Sequence, residues 1–85
     1  MTVRLSEIAT KQLKRLDKTP RLRIISFLHE LESLADPRSK GKGLTENLSG
    51  FWRYRVGDYR IICEIKDREL IIEALYLGHR RDIYR

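Results

Sequence analysis

Eighty-five residues make one domain, enough for a single compact core and too few for two. The chain is 41% hydrophobic and 35% charged with a formal net charge of +6, a soluble globular composition that argues against dominant disorder. No run approaches the ~18 apolar residues of a membrane span, and residues 1 to 20 hold no signal-type apolar stretch. The single cysteine excludes an internal disulfide and a cysteine-based zinc site, so a cytoplasmic protein is expected.

Thr2 to Leu5 reads as a short strand. Ser6 suits the N-cap of a helix from Glu7 to Asp17, with Ala9, Leu13 and Leu16 on one face. Thr19-Pro20 opens a second helix, with threonine as N-cap and proline at the first helical position. Its apolar stripe is Leu22, Ile25, Leu28, Leu31 and Leu34, widened by Ile24 and Phe27, and Asp36-Pro37 ends it. The two helices form a hairpin.

Residues 38 to 47, "RSKGKGLTEN", read as a solvated loop. "GKG" is not a phosphate-binding signature without the rest of such a motif. Three strand-like runs follow, Phe51–Val56, Tyr59–Ile65 and Leu70–Leu77. Gly57-Asp58 is a hairpin turn pair, and Lys66–Glu69 is a polar turn. The order β-α-α-β-β-β implies an α+β domain, 1–85, with an N-terminal helical hairpin packed on a small, mainly antiparallel twisted sheet. Cys63, between Ile62 and Glu64, reads as a small buried hydrophobe, and His29 as structural.

The charge is not spread evenly. Residues 38 to 60 carry six basic and two acidic side chains, and residues 79 to 85 carry three and one, so the rest of the chain is neutral. A two-residue turn at Gly57-Asp58 sets Arg55 opposite Arg60, with Arg53 on the same face and Trp52, Tyr54, Tyr59, Ile61 and Cys63 on the other. Like charges directly opposed on a sheet are destabilising. A bound anion relieves that repulsion, and guanidinium forks match phosphate oxygens. The tail "LGHRRDIYR" adds His79, Arg80, Arg81, Tyr84 and Arg85. Histidine and tyrosine can move protons or stack on bases, although Tyr84 can equally cover the end of the core and His79 can be solvated. Two distant histidines without a clustered carboxylate are no metal site.

"KGKGLTENLSGFWRYRVGDYRIICEI" (residues 40–65), "GHRRDIYR" (residues 78–85) and the element order together resemble the RelE/ParE toxin superfamily of type II toxin–antitoxin systems, over nearly the whole chain. The likeness is closer to the RelE branch, whose members cleave messenger RNA, usually in the ribosomal A site. It implies that Arg53 and Arg55 stand where such enzymes carry basic residues, often lysines, before the hairpin turn. Arg60 matches the arginine after the turn, Arg80 the arginine after the last strand, and Tyr84 a tyrosine that stacks on a base and assists attack. Arginine, with a pKa above ~12, is a poor base. Other members use a histidine near the C-terminus, which makes His79 a candidate. A loop glutamate used by some falls here near Lys42 or Gly43, with Glu46 a few residues on.

The resemblance implies metal-independent chemistry without a cofactor. A 2′-hydroxyl attacks the adjacent phosphorus and the 5′-oxygen leaves, giving a 2′,3′-cyclic phosphate and a 5′-hydroxyl. Arg60 and Arg80 would stabilise the developing charge, and Arg53 and Arg55 would position the phosphate. Lys40, Lys42, Arg81 and Arg85 would attract RNA irrespective of sequence. The implied partners are a cognate antitoxin protein, mRNA and the ribosome. The first rival is a ParE-like DNA gyrase inhibitor without nuclease activity. The second is a plain RNA-binding module, for which the basic patch suffices.

Overall fold

β1 (Thr2–Leu5) passes into α1 (Glu7–Lys14) through Ser6, whose hydroxyl accepts a hydrogen bond from the Ala9 N–H at 3.0 Å. That bond satisfies one of the four N-terminal N–H groups left without a helical partner. The computed structural model describes residues 1–81, so Tyr84 and Arg85 lie outside the described residues. α1 stops at Lys14, short of the expected Asp17. Asp17 instead serves as N-cap of α2 (Lys18–Ser33), and Arg21 N–H bonds its carbonyl at 3.0 Å. Thr19 and Pro20 therefore lie inside the first turn, where proline removes an N–H that has no partner anyway.

The buried stripe of α2 is Ile24, Leu28 and Leu31, at the i, i+4, i+7 spacing of one helix face. Leu22, expected in that stripe, is half-exposed. It stands two residues from Ile24, and two steps of ~100° turn it away from the sheet. The helix ends with Leu34 in an extended conformation. A 3₁₀ turn follows at Pro37–Ser39, where the Asp36 carboxylate accepts from Arg38 N–H at 2.9 Å.

The expected solvated loop is held down. β2 (Lys42–Gly43) pairs antiparallel with β3 (Trp52–Val56), setting Lys42 beside Arg53 and Gly43 beside Trp52. The Trp52 indole donates to the Lys40 carbonyl at 2.7 Å, and the buried Tyr54 hydroxyl donates to the Pro37 carbonyl at 2.6 Å. Gly41 has φ +78°, and a Cβ there would collide with the Arg53 carbonyl oxygen and the Trp52 indole nitrogen. Its glycine serves close approach to β3.

β3, β4 (Tyr59–Lys66) and β5 (Ile71–His79) form an antiparallel meander, and β1 adds parallel to β5, giving the order β1-β5-β4-β3-β2. Gly57, at φ +60°, makes the two-residue turn between β3 and β4. The polar turn after β4 is a 3₁₀ turn at Asp67–Glu69. Both helices cover one face of the sheet. The core there joins Ala9 and Leu13, Ile24, Leu28 and Leu31, and from the strands Tyr54, Ile61, Cys63, Ile72, Ala74 and Leu77. Burying each large aliphatic side chain contributes about 1.5–3 kcal/mol. Cys63 is fully buried, and burial pushes its thiol up to about 12.

The core positions of β5 break step: Ile72, Ala74, then Leu77. A bulge causes this. Ile62 pairs with Tyr76 while the next residue, Cys63, pairs with Ala74, which leaves Leu75 unmatched. Every residue of β5 after Leu75 therefore changes face relative to simple alternation.

Candidate functional site

Pairing partners share a face of a sheet, so the register assembles the site. Arg55 pairs with Arg60, and Arg60 pairs on its other side with Gly78. In the adjacent row, Lys42, Arg53, Ile62 and Tyr76 are successive partners across β2, β3, β4 and β5. Lys42, Arg53, Arg55 and Arg60 thus gather on the face away from the helices, as the alternation of the sequence implies for the three arginines.

This face is not a uniformly solvated surface. Arg55 is exposed and Arg53 half-buried, but Arg60 is only 8% exposed and Ile62 is fully buried. Ile62 stands apart from the helix-side core, so the arginine face has an apolar floor of its own. Among the described strand residues, the acids on the same face, Glu64 and Glu73, sit at its other end. There Glu73 pairs with Arg4 at 3.5 Å and with Lys66 at 3.3 Å, and Glu64 is the cross-strand partner of Glu73.

Arg80 joins the basic end. Its N–H donates to the Asp58 carbonyl at 2.8 Å, extending the β4–β5 ladder to the hairpin turn and holding the exposed Arg80 beside the Arg55–Arg60 pair. At the edge of β3, where β2 no longer pairs, a cleft of about 370 Å³ lies among Lys40, Lys42, Arg53, Arg55, Phe27 and Tyr54. Burial raises the Tyr54 phenol well above its usual value, so its hydroxyl remains a donor to Pro37.

Other expected site residues lie elsewhere. His79 pairs with Tyr59 on the helix side of the sheet, its ring edge-on to the tyrosine at 5.6 Å. It helps line a cavity of about 390 Å³ with Gln12, Arg15, Leu16 and Tyr59, at the edge of β5 past its last β1 partner, Ala74, where Tyr76 and Gly78 also border it. Its Nδ1 accepts from Arg81 N–H at 3.3 Å. The bulge at Leu75 is the reason, because simple alternation from Ala74 sets His79 on the arginine face. Lys40 is turned to the helix side, 2.7 Å from the Glu30 carboxylate and above the Phe27 ring. Arg81 is exposed. The same bulge moves Tyr76, which simple alternation assigns to the core, onto the arginine face. An irregular pairing of this kind leaves no composition signal.

A family model described as the ParE toxin of type II toxin–antitoxin systems matches residues 3–84. The chain belongs to the RelE/ParE toxin family. It is 31% identical over 84 residues to toxin RelG of Mycobacterium tuberculosis, covering 99% of this chain and 95% of that toxin. Toxin RelE of the same organism is 29% identical over 83 residues, covering 98% and 84%. Among solved structures, the RelBE2 toxin–antitoxin complex of M. tuberculosis superposes with a TM-score of 0.84 at 29% identity, covering 93% of this chain and 96% of the matched one. The archaeal RelE–RelB complex of Pyrococcus horikoshii gives a TM-score of 0.73 at 30% identity, covering 96% and 99%. The β-α-α-β-β-β toxin fold expected from the sequence is thus the observed one, and the short β2 is added to it. Among the described residues no helix is long and apolar enough to cross a membrane.

Proposed function

We propose that this toxin is a metal-independent mRNA endoribonuclease, acting on ribosome-bound messages and thereby inhibiting translation. The observation that carries the reading is the shared face of Lys42, Arg53, Arg55 and Arg60, with Arg80 held at the same end. The relatives named RelE and RelG support the same branch.

The RNA phosphate binds over the Arg55–Arg60 pair, which relieves their repulsion. Arg53 and Arg55 position it, while Lys42 and Arg81 add attraction that is independent of sequence. The 2′-hydroxyl attacks phosphorus, the 5′-oxygen departs, and charge gathers on the non-bridging oxygens. Arg60 and Arg80 stabilise that charge, an effect greatest where donors are preorganised in a partly dry site. The low exposure of Arg60 suits this role. Tyr84 stacks on a base in this reading, with a minor part in proton transfer, and Arg85 adds charge. His79, on the other face, is left out of the reacting set, and Lys40 serves to hold the loop.

A cognate antitoxin is the partner that silences the basic face, a reading supported by the RelB-bound state of the structural relatives. The test is expression of the chain without an antitoxin, with 5′ ends mapped on translated messages. Cuts clustered inside codons are expected. Intact messages together with blocked DNA supercoiling would overturn the proposal in favour of gyrase inhibition.

A further inference from the structure

Tyr76 is the one aromatic side chain that the β4–β5 register brings to the arginine face. Three observations concern it. The bulge at Leu75 re-aims it from the helix side, and bulges serve that purpose beside functional sites. It flanks the fully buried Ile62 on the side opposite Arg53, about two strand spacings (~10 Å) from that arginine. Finally, the next residue on this face of β5 is Gly78, the cross-strand partner of Arg60, so β5 itself contributes no side chain there beyond Tyr76. A half-buried ring next to a cationic row, with a glycine beside it, is the arrangement that accepts a planar base while the arginines hold its phosphate.

Resting on the nuclease reading, we infer that Tyr76 is a base-stacking residue of the arginine face, contacting a nucleobase of the RNA whose phosphate Arg53 and Arg60 bind. The ring supplies a sequence-tolerant platform, so its contribution depends on the presence of a base rather than on its hydrogen-bonding edge. The competing role is a cover for Ile62. That role needs bulk but not aromaticity, and it is indifferent to the RNA.

The two are separated on ribosomes programmed with short messages in which each nucleotide of the A-site codon is made abasic in turn. Sub-saturating single-turnover cleavage by wild type is compared with Tyr76→Phe, Tyr76→Leu and Tyr76→Ala, each with a melting curve. Tyr76→Phe should cleave within about twofold of wild type, while Tyr76→Leu and Tyr76→Ala should fall about 5- to 100-fold on intact codons. The deficit should vanish at one abasic position, because there the wild-type ring has nothing to stack on. A Tyr76→Leu rate equal to wild type, or a deficit the same at every abasic position, overturns the inference. So does a Tyr76→Phe variant as slow as Tyr76→Ala. Wild-type protein that cleaves none of the messages removes the nuclease reading and this inference together, whereas normal wild-type cleavage without a Tyr76 effect removes only the latter.

Discussion

Arg55 and Arg60 are direct cross-strand partners on the β3–β4 hairpin, one exposed and the other almost buried. Like charges so placed repel, and the more exposed member contributes least packing. Arg55→Ala is therefore expected to leave the melting temperature unchanged or raise it slightly. Arg60→Ala should lower it through lost packing of the side-chain stem. In the proposed reaction Arg60→Ala should also slow single-turnover cleavage at least 10²-fold, the usual loss for a charge-stabilising donor. Arg60→Lys keeps charge but not the fork, and should recover stability more than rate. A stable, fully active Arg60→Ala protein would contradict the assignment.

Tyr54 fastens the segment carrying Lys42 to the sheet through the Pro37 carbonyl. Tyr54→Phe keeps the ring in the core and its edge-on contact with Phe27 at 5.5 Å, but leaves a buried carbonyl unsatisfied. The expected cost is about 1–2 kcal/mol, read as a melting temperature lower by about 4–16 °C for a domain of this size. Equilibrium denaturation of the two proteins at matched salt measures it. No change would mean that the Pro37 carbonyl finds water instead.

Much of this architecture is legible in the sequence, and the exceptions share a cause. Gly57-Asp58 determines the hairpin register, because a two-residue turn leaves one way to pair the strands, and Arg55 opposite Arg60 follows from it. Ser6 announces α1 through local chemistry alone. Asp17 and Thr19 are both sound N-caps, and the choice between them depends on how closely α2 follows α1, a tertiary matter. The segment 38–47 is mostly exposed, as its polar and small residues imply, but nothing local shows that it is pinned to the sheet. What holds it are Trp52 and Tyr54, more than ten residues away. The bulge at Leu75 is hardest to read, since it adds one residue without changing composition. That one residue exchanges Tyr76 for His79 on the arginine face.

His79 supplies the corresponding test. Facing Tyr59 and the α1 side, its ring is separated from Arg60 by the sheet. His79→Ala should keep cleavage within a few-fold of wild type while losing some stability, because an edge-on aromatic contact of this kind is worth about 0.5–1.5 kcal/mol. A loss of 10²-fold or more at unchanged melting temperature would restore His79 as a proton-transfer group.

Arg38 and Asp67 form a two-pronged pair, 2.8 and 3.0 Å, tying the 3₁₀ turn after α2 to the turn after β4. The hydrogen bond from Arg38 holds the Asp67 carboxyl below its usual range. A folded-state pKa below the unfolded one contributes stability that is complete above the unfolded value, near 4. It is lost as pH falls through the folded value. Asp67→Asn should accordingly be slightly less stable than wild type at pH 7, and the gap should close as pH drops below ~4. High salt should narrow the gap at neutral pH, since both partners are at the surface. Parallel melting curves across pH check both; a gap that persists in acid would assign the effect to packing.

Tyr84 remains the other aromatic of the proposed site, separated in sequence from the cationic pair Arg80-Arg81 by Asp82 and Ile83 and followed directly by Arg85. If its ring only covers the core, Tyr84→Phe is silent and Tyr84→Ala loses stability and activity in proportion. If its hydroxyl carries a proton, Tyr84→Phe alone slows cleavage about 10²-fold at unchanged stability. Stacking predicts a third pattern, in which Tyr84→Phe keeps most activity and Tyr84→Ala loses about 5- to 100-fold without melting earlier. The third is expected, because an ordinary tyrosine, with a pKa near 10, is a poor base at neutral pH. Single-turnover cleavage on programmed ribosomes, set beside a melting curve for each variant, separates the three. A Tyr84→Ala protein that cleaves at the wild-type rate would remove Tyr84 from the site and leave the charge of the arginine face to account for the reaction.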